Sequence, residues 1–295
     1  MNETLSNQTN QTNQPNPNDP PDPPAPTDRI AAAFRRAREE NRAAFVAYVC
    51  GGDPDFETSV ATAAALLEAG TDILEIGAPF SDPLADGPTN QLAAQRALAA
   101  GMTREKLLAL IRRVRANTEK PLILYTYYNL LLAGGGVAAV LRRFKDAGLD
   151  GVLALDCPPE EAGELLVASR ETGIANIFIV APTTPPERVA RIARDATGFI
   201  YYVSREGVTG ERADFAVNIA GALAAIRRNT ALPVAVGFGI STPEHVAAVG
   251  READGVVVGS ALVNVIAANL SAPEKIPAAV AAKARALIAG LTQGA

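Results

Sequence analysis

The sequence predicts an α/β chain folded as one (β/α)8 TIM barrel, and three observations carry that expectation. Short β-rich runs recur eight times, near residues 44–50, 72–76, 121–125, 151–155, 176–180, 199–203, 233–237 and 254–258. Segments of helical period separate them, which is the order that builds a parallel sheet. Glycines stand where helix gives way to strand, at Gly70, Gly148, Gly173 and Gly198, the last three about 25 residues apart. That interval fits one short strand, one helix and two tight loops, and glycine suits a helix end because a left-handed backbone costs it almost nothing.

Taken in chain order, residues 1–27 are dominated by Asn, Gln, Thr and Pro. They hold no apolar run that would offset the entropy of ordering, so a disordered tail is expected there, and the barrel domain at 28–295. The tail has neither the hydrophobic centre of a signal peptide nor the Arg-rich pattern of a transit peptide. Between the first two strands, Val60, Ala63, Ala64 and Leu67 fall on one side of a helix. Val137, Val140, Leu141 and Phe144 do the same before the fourth strand, so each helix can lay one stripe on the sheet. The 295 residues accommodate a single barrel, which needs about 250.

Composition excludes several classes. A formal charge of −5 leaves no basic field for nucleic acid, and no stretch approaches the ~20 apolar residues of a membrane span. Cys50 and Cys157 are too few for a disulfide scaffold and read as reduced thiols of a cytoplasmic protein. The single histidine, His245, reads as a surface residue of a helix start, so neither a His-rich metal site nor a Ser-His triad is expected. Lys106, Lys120, Lys145, Lys275 and Lys283 avoid the C-terminal ends of the strand-like runs, which removes a Schiff-base lysine.

Barrel active sites lie where strands end and βα loops begin. There, Glu75 is a charge inside the apolar run Asp72-Ile-Leu-Glu-Ile76. Desolvation raises such a carboxyl into the range where it donates and accepts protons near neutrality; the alternative is a buried structural ion pair. Asp86 lies in a loop rich in Gly, Pro and Asp and serves either in the site or as the cap of a helix starting near Pro88. Two glycine loops, Val236-Gly-Phe-Gly-Ile-Ser241 and Val258-Gly-Ser-Ala-Leu262, each lead from a strand into a helix. Their N–H groups suit a phosphate after strands seven and eight. Ser204-Arg-Glu-Gly-Val-Thr-Gly210 reads as a polar loop with two glycine hinges.

The stretch Leu74-Glu-Ile-Gly-Ala-Pro-Phe-Ser-Asp-Pro-Leu-Ala-Asp-Gly-Pro-Thr89 resembles the signature of the tryptophan synthase alpha subunits. Tyr127-Tyr-Asn-Leu130, Ser204 to Gly210, Gly237 to Ser241 and Gly259-Ser260 follow in that family's order, and the resemblance spans about 30–291. It implies cleavage of indole-3-glycerol phosphate to indole and glyceraldehyde 3-phosphate without metal or organic cofactor. By the resemblance, Glu75 is the acid–base residue and Asp86 holds the indole N–H. Gly210, Gly239, Gly259 and Ser260 cradle the phosphate, Tyr201 lines the indole end, and Thr209 lets the lid loop reach Asp86. Tyr48 and Tyr127 complete the substrate-binding set. The loop bearing Pro79, Ser81, Asp82 and Pro83 docks against a pyridoxal-phosphate beta subunit in an αββα assembly.

Tyr48 and Tyr125 stand where that family more often has apolar side chains, so either hydroxyl needs a partner if buried. A phosphosugar isomerase barrel, suggested by Cys50 at the end of strand one, and a non-catalytic scaffold that activates a beta subunit are the rival readings. Replacing Glu75 by glutamine is expected to remove turnover and leave the melting temperature nearly unchanged.

Overall fold

The computed structural model describes residues 28–203, 212–237 and 239–292, the side chains of 212–218 excepted. The expected tail at 1–27 lies outside the described residues, as do Thr209 and Gly210. The chain begins with α1 (Arg29–Glu39), β1 (Ala44–Cys50), α2 (Phe56–Glu68), β2 (Ile73–Gly77), α3 (Pro88–Ala99) and α4 (Arg104–Arg115). It continues through β3 (Leu122–Thr126), α5 (Tyr128–Leu132), α6 (Val137–Asp146), β4 (Gly151–Ala154), α7 (Gly163–Thr172), β5 (Ala175–Val180) and α8 (Pro186–Asp195). The last part is β6 (Ile200–Val203), α9 (Arg212–Arg227), β7 (Val234–Gly237), α10 (Pro243–Gly250), β8 (Gly255–Val258), α11 (Ser260–Ala268) and α12 (Ile276–Thr292). Each strand pairs in parallel with the next and β8 pairs with β1, closing the expected eight-stranded barrel.

Two cores fill it. Every second strand residue points inward, so Val46, Ile73, Ile123, Leu153, Ile177, Ala235 and Val257 pack together inside the barrel. The outward residues meet the helices in a larger core. The N-terminal end is stoppered by α1, whose Ile30 and Phe34 belong to the inner core, and Phe34 meets Phe199 with ring centroids 5.6 Å apart. Phe34→Ala removes that stopper next to an existing cavity, and we expect a loss of about 3 kcal/mol in urea unfolding. A loss below about 1 kcal/mol would show that the end is closed by something else.

Aspartates just before three strands tie that end of the sheet. Asp72 accepts the Phe45 N–H at 2.8 Å, Asp150 the Leu122 N–H at 2.9 Å, and Asp254 the Val234 N–H at 3.0 Å. Arginines Arg42, Arg115 and Arg227 respectively pair with these carboxylates, so no strand-start N–H is left bare beside them.

Two sequence expectations shift. The buried side of α2 is Ser59, Thr62, Ala63, Leu66 and Leu67, one position round from the stripe expected at Val60, Ala63, Ala64 and Leu67. Hydrophobic periodicity misses this because two hydroxyl residues can be buried once bonded: Ser59 Oγ accepts the Gly52 N–H, and Thr62 Oγ1 donates to the Thr58 carbonyl. His245 is partly buried on α10 rather than a surface residue, its backbone N–H held by the capping Thr242. The expected α6 stripe of Val137, Val140, Leu141 and Phe144 is buried as predicted, and Gly70, Gly148, Gly173 and Gly198 all have positive φ.

Candidate active site

At the C-terminal mouth of the barrel lies a cavity of about 470 Å³. Tyr48, Glu75, Asp86, Tyr125, Tyr201, Gly239, Gly259 and Ser260 all border it, together with apolar walls from Leu153, Leu155, Ile179 and Ile240. A larger cleft of about 740 Å³ opens at the opposite end beside Asn176 and Ser169. Barrel chemistry belongs to the C-terminal end, and the polar side chains left without partners in that larger cleft are neutral, whereas those at the mouth include an acid beside the Asn90 amide oxygen.

That acid is Glu75. Its inward position on β2 is set by register: Tyr48 on β1 and Ile123 on β3 are its neighbours. The side chain is 0% exposed, and among the described residues neither carboxyl oxygen has a hydrogen-bond partner. Burial pushes its pKa up to about 8. Among the described residues no cation reaches either oxygen, so nothing there supports the ion-pair alternative. A protonated carboxyl facing a small cavity can give a proton to a bound carbon and take one back from a bound hydroxyl.

Asp86 sits in the loop between β2 and α3 and does not cap that helix; the cap position is Gly87, with no side-chain bond. Its carboxylate is instead gripped by two phenols. Tyr125 donates to Oδ1 and Tyr127 to Oδ2, each at 2.8 Å, and Asn90 lies 3.5 Å from Oδ1. Tyr127 accepts the Ala85 N–H at 3.0 Å and stacks on Phe80 at 5.0 Å. It is buried behind Asp86 and is not among the residues that border the cavity, so what the structure gives Tyr127 is a hold on the carboxylate. Burial first, then Asp86, pushes both phenols above their ordinary range, so they remain donors.

Tyrosines shape the rest of the mouth. Tyr48 meets Tyr125 edge to face with centroids 4.8 Å apart. A Cβ at Gly77 would stand 2.5 Å from the Tyr48 hydroxyl, and one at Gly237 would stand 2.5 Å from the Tyr201 hydroxyl. Only glycine leaves those strand ends free for the phenols. Across the cavity, α11 starts at Ser260 with Gly259 before it and no side-chain cap, and Gly239 has φ +70°. First-turn N–H groups without a cap form a place for an anion. Cys50 is buried outside the cavity with its thiol pushed up by burial, so nothing supports the isomerase reading that rested on it.

The loop expected to meet a partner carries Pro79, Ser81, Asp82 and Pro83, with Ser81 and Asp82 exposed and bonded to each other at 2.5 Å. Beside them Leu84 is 93% exposed. The sequence reading missed two features: the tether from Tyr125 to Asp86 and the apolar walls from β4 and β5. Their signal was the inward alternation Ile123, Tyr125 on β3 and Leu153, Leu155 on and just after β4.

Fold and mouth together define a β/α-barrel enzyme whose C-terminal cavity is bordered by two carboxyl groups, Glu75 on β2 and Asp86 in the loop that follows it. Residues 34–291 match the family model described as tryptophan synthase alpha chain. The chain belongs to the tryptophan synthase alpha chain family. It is 60% identical over 262 residues to the tryptophan synthase alpha chain of Opitutus terrae, covering 89% of this chain and 98% of that one. The corresponding chain of Geobacter sulfurreducens is 47% identical over 239 residues, 80% of this chain and 89% of that one. Among solved structures, tryptophan synthase subunit alpha from Legionella pneumophila superimposes with TM-score 0.83 at 33% identity, covering 90% of this chain and 98% of that one. Tryptophan synthase from M. tuberculosis gives TM-score 0.79 at 34% identity, with 89% and 99% covered.

Proposed function

We propose that this chain is a lyase of tryptophan biosynthesis that splits indole-3-glycerol phosphate into indole and glyceraldehyde 3-phosphate, with Glu75 moving the protons and Asp86 holding the indole N–H. The carrying observation is the Glu75 carboxyl, buried, without a partner among the described residues and with its pKa pushed up to about 8. It is protonated at neutral pH and donates to indole C3, which leaves a cationic indolenine whose N–H is held by the Asp86 carboxylate. The Glu75 carboxylate then takes the proton of the adjacent glycerol hydroxyl. That O–H electron pair becomes the aldehyde C=O, and the electrons of the breaking carbon–carbon bond return to the ring and neutralise it. Glu75 ends protonated, as it began.

Gly239, Gly259 and Ser260, with the N-terminus of α11, support a phosphate at the far side of the cavity. Tyr48 and Tyr201 border the indole. For Thr209 and Gly210 the sequence resemblance is the support. The released indole passes to a beta subunit in an αββα assembly, met by the loop with Pro79, Ser81, Asp82 and Pro83 and its outward Leu84. Among the described residues no helix is long and apolar enough to cross a membrane, and the reduced, buried cysteines support a cytoplasmic setting.

The test is direct. The purified chain, given indole-3-glycerol phosphate, should release indole and glyceraldehyde 3-phosphate in equal amounts, faster with beta subunit added. Asp86→Asn should cut that rate by ~10²-fold, since a neutral amide stabilises the cation poorly. A chain that releases no indole in either condition would be a scaffold.

A further inference from the structure

We propose that Tyr125 is a positioning residue of this reaction: its hydroxyl fixes Asp86, and with it the far end of the loop from 78 to 87, in the pose that receives the indole N–H. The inference rests on the role given above to Asp86 and adds a device to it.

Tyr125 holds that loop at both ends. At the start, its backbone carbonyl accepts the Ala78 N–H at 2.8 Å, directly after β2. Near the finish, its hydroxyl donates to Asp86 Oδ1 at 2.8 Å. One residue of β3 thus closes the intervening span, which includes the exposed Ser81, Asp82 and Leu84, into a fixed arc. The phenol is itself fixed, because Tyr48 packs edge to face against its ring and the Tyr48 hydroxyl lies against Gly77, the register partner of Tyr125.

The two phenols are not equivalent. Tyr127 is wedged between the Ala85 N–H and Asp86 Oδ2, behind the carboxylate. Tyr125 reaches Oδ1 from β3 and itself borders the cavity. A carboxylate only accepts, so both phenolic protons point at Asp86 and compete with nothing. Each oxygen keeps a further lone pair for a bound N–H. Without the Tyr125 hydroxyl, Oδ1 retains, among the described residues, only the 3.5 Å approach of Asn90, which is too long to orient it.

Tyr125→Phe keeps the ring and removes the hydroxyl. It should lower kcat about tenfold, because one of two oriented donors is gone, while KM stays within about twofold and the melting temperature is unchanged. Tyr125→Leu removes the wall as well and should raise KM in addition. In an Asp86→Asn background, Tyr125→Phe should cost nothing more, since there is no carboxylate left to aim. Amide hydrogen exchange in residues 84–87 should quicken in Tyr125→Phe whatever role Asp86 has.

An unchanged kcat in Tyr125→Phe overturns the inference, as does an equal loss in both backgrounds or unchanged exchange in that loop. Full turnover in Asp86→Asn with quickened exchange in Tyr125→Phe would instead sink the role of Asp86 and leave the tether standing.

Discussion

Glu75→Gln should lower release of indole by ~10²- to 10⁴-fold while binding of the substrate survives. Glutamine has the shape of the protonated acid and fills the same buried place between Tyr48 and Ile123, so cavity and barrel remain. What disappears is the proton. The amide cannot acidify indole C3 and cannot accept the glycerol hydroxyl proton afterwards, so both halves of the cycle fail at one atom pair. Wild-type kcat/KM should fall above about pH 8, where the free enzyme loses the proton it must donate. Steady-state rates from pH 6 to 9 check this. A glutamine variant within tenfold of wild type would mean that another group carries the proton.

The legible part of this molecule was what depends on neighbours in sequence. Alternating helix and strand, glycines at the joins and the charge inside an apolar run each follow from a few adjacent residues, and they located the barrel and Glu75. Asp86 was half legible: its loop was conspicuous, but cap and site were equal readings from the residues alone. The deciding contacts come from Tyr125 and Tyr127, about 40 residues away, and depend on Gly77 lying beside Tyr125 across the β2–β3 pair. Barrel closure sets that register, and no local pattern encodes it.

Two other shifts share a cause. Ser59 and Thr62 are inside because hydroxyls found backbone partners, and Tyr127 is behind the carboxylate because Ala85 and Phe80 hold it there. A hydrophobic pattern records apolar faces and is blind to polar groups whose partners are supplied by the fold. Tyr48 and Tyr125 were conspicuous as phenols needing partners; one partner, for Tyr125, is Asp86, the other carboxylate that borders the cavity.

The buried acid to which we assign the proton transfers should also weaken the fold as pH rises, which alters what Glu75→Gln does to stability. Glu75 has an ordinary pKa of 4.5 when unfolded and about 8 when buried. Below pH 4.5 it is neutral in both states and has no pH-dependent effect. Between those values the folded state holds a proton that the unfolded chain has released, so stability falls with each unit of rising pH. Above pH 8 the fold carries the whole difference, on the order of 5 kcal/mol at ~1.4 kcal/mol per unit.

Glutamine stays neutral throughout and escapes that loss. The variant should therefore match wild type near pH 4.5 and exceed it by several kcal/mol at pH 8, so the sequence-based expectation of a nearly unchanged melting temperature holds only in acid. Urea unfolding of both proteins at pH 5, 6, 7 and 8 measures the gap. Parallel curves would mean that Glu75 ionises as easily in the fold as outside it, and would remove the reason to regard it as a proton donor at neutral pH.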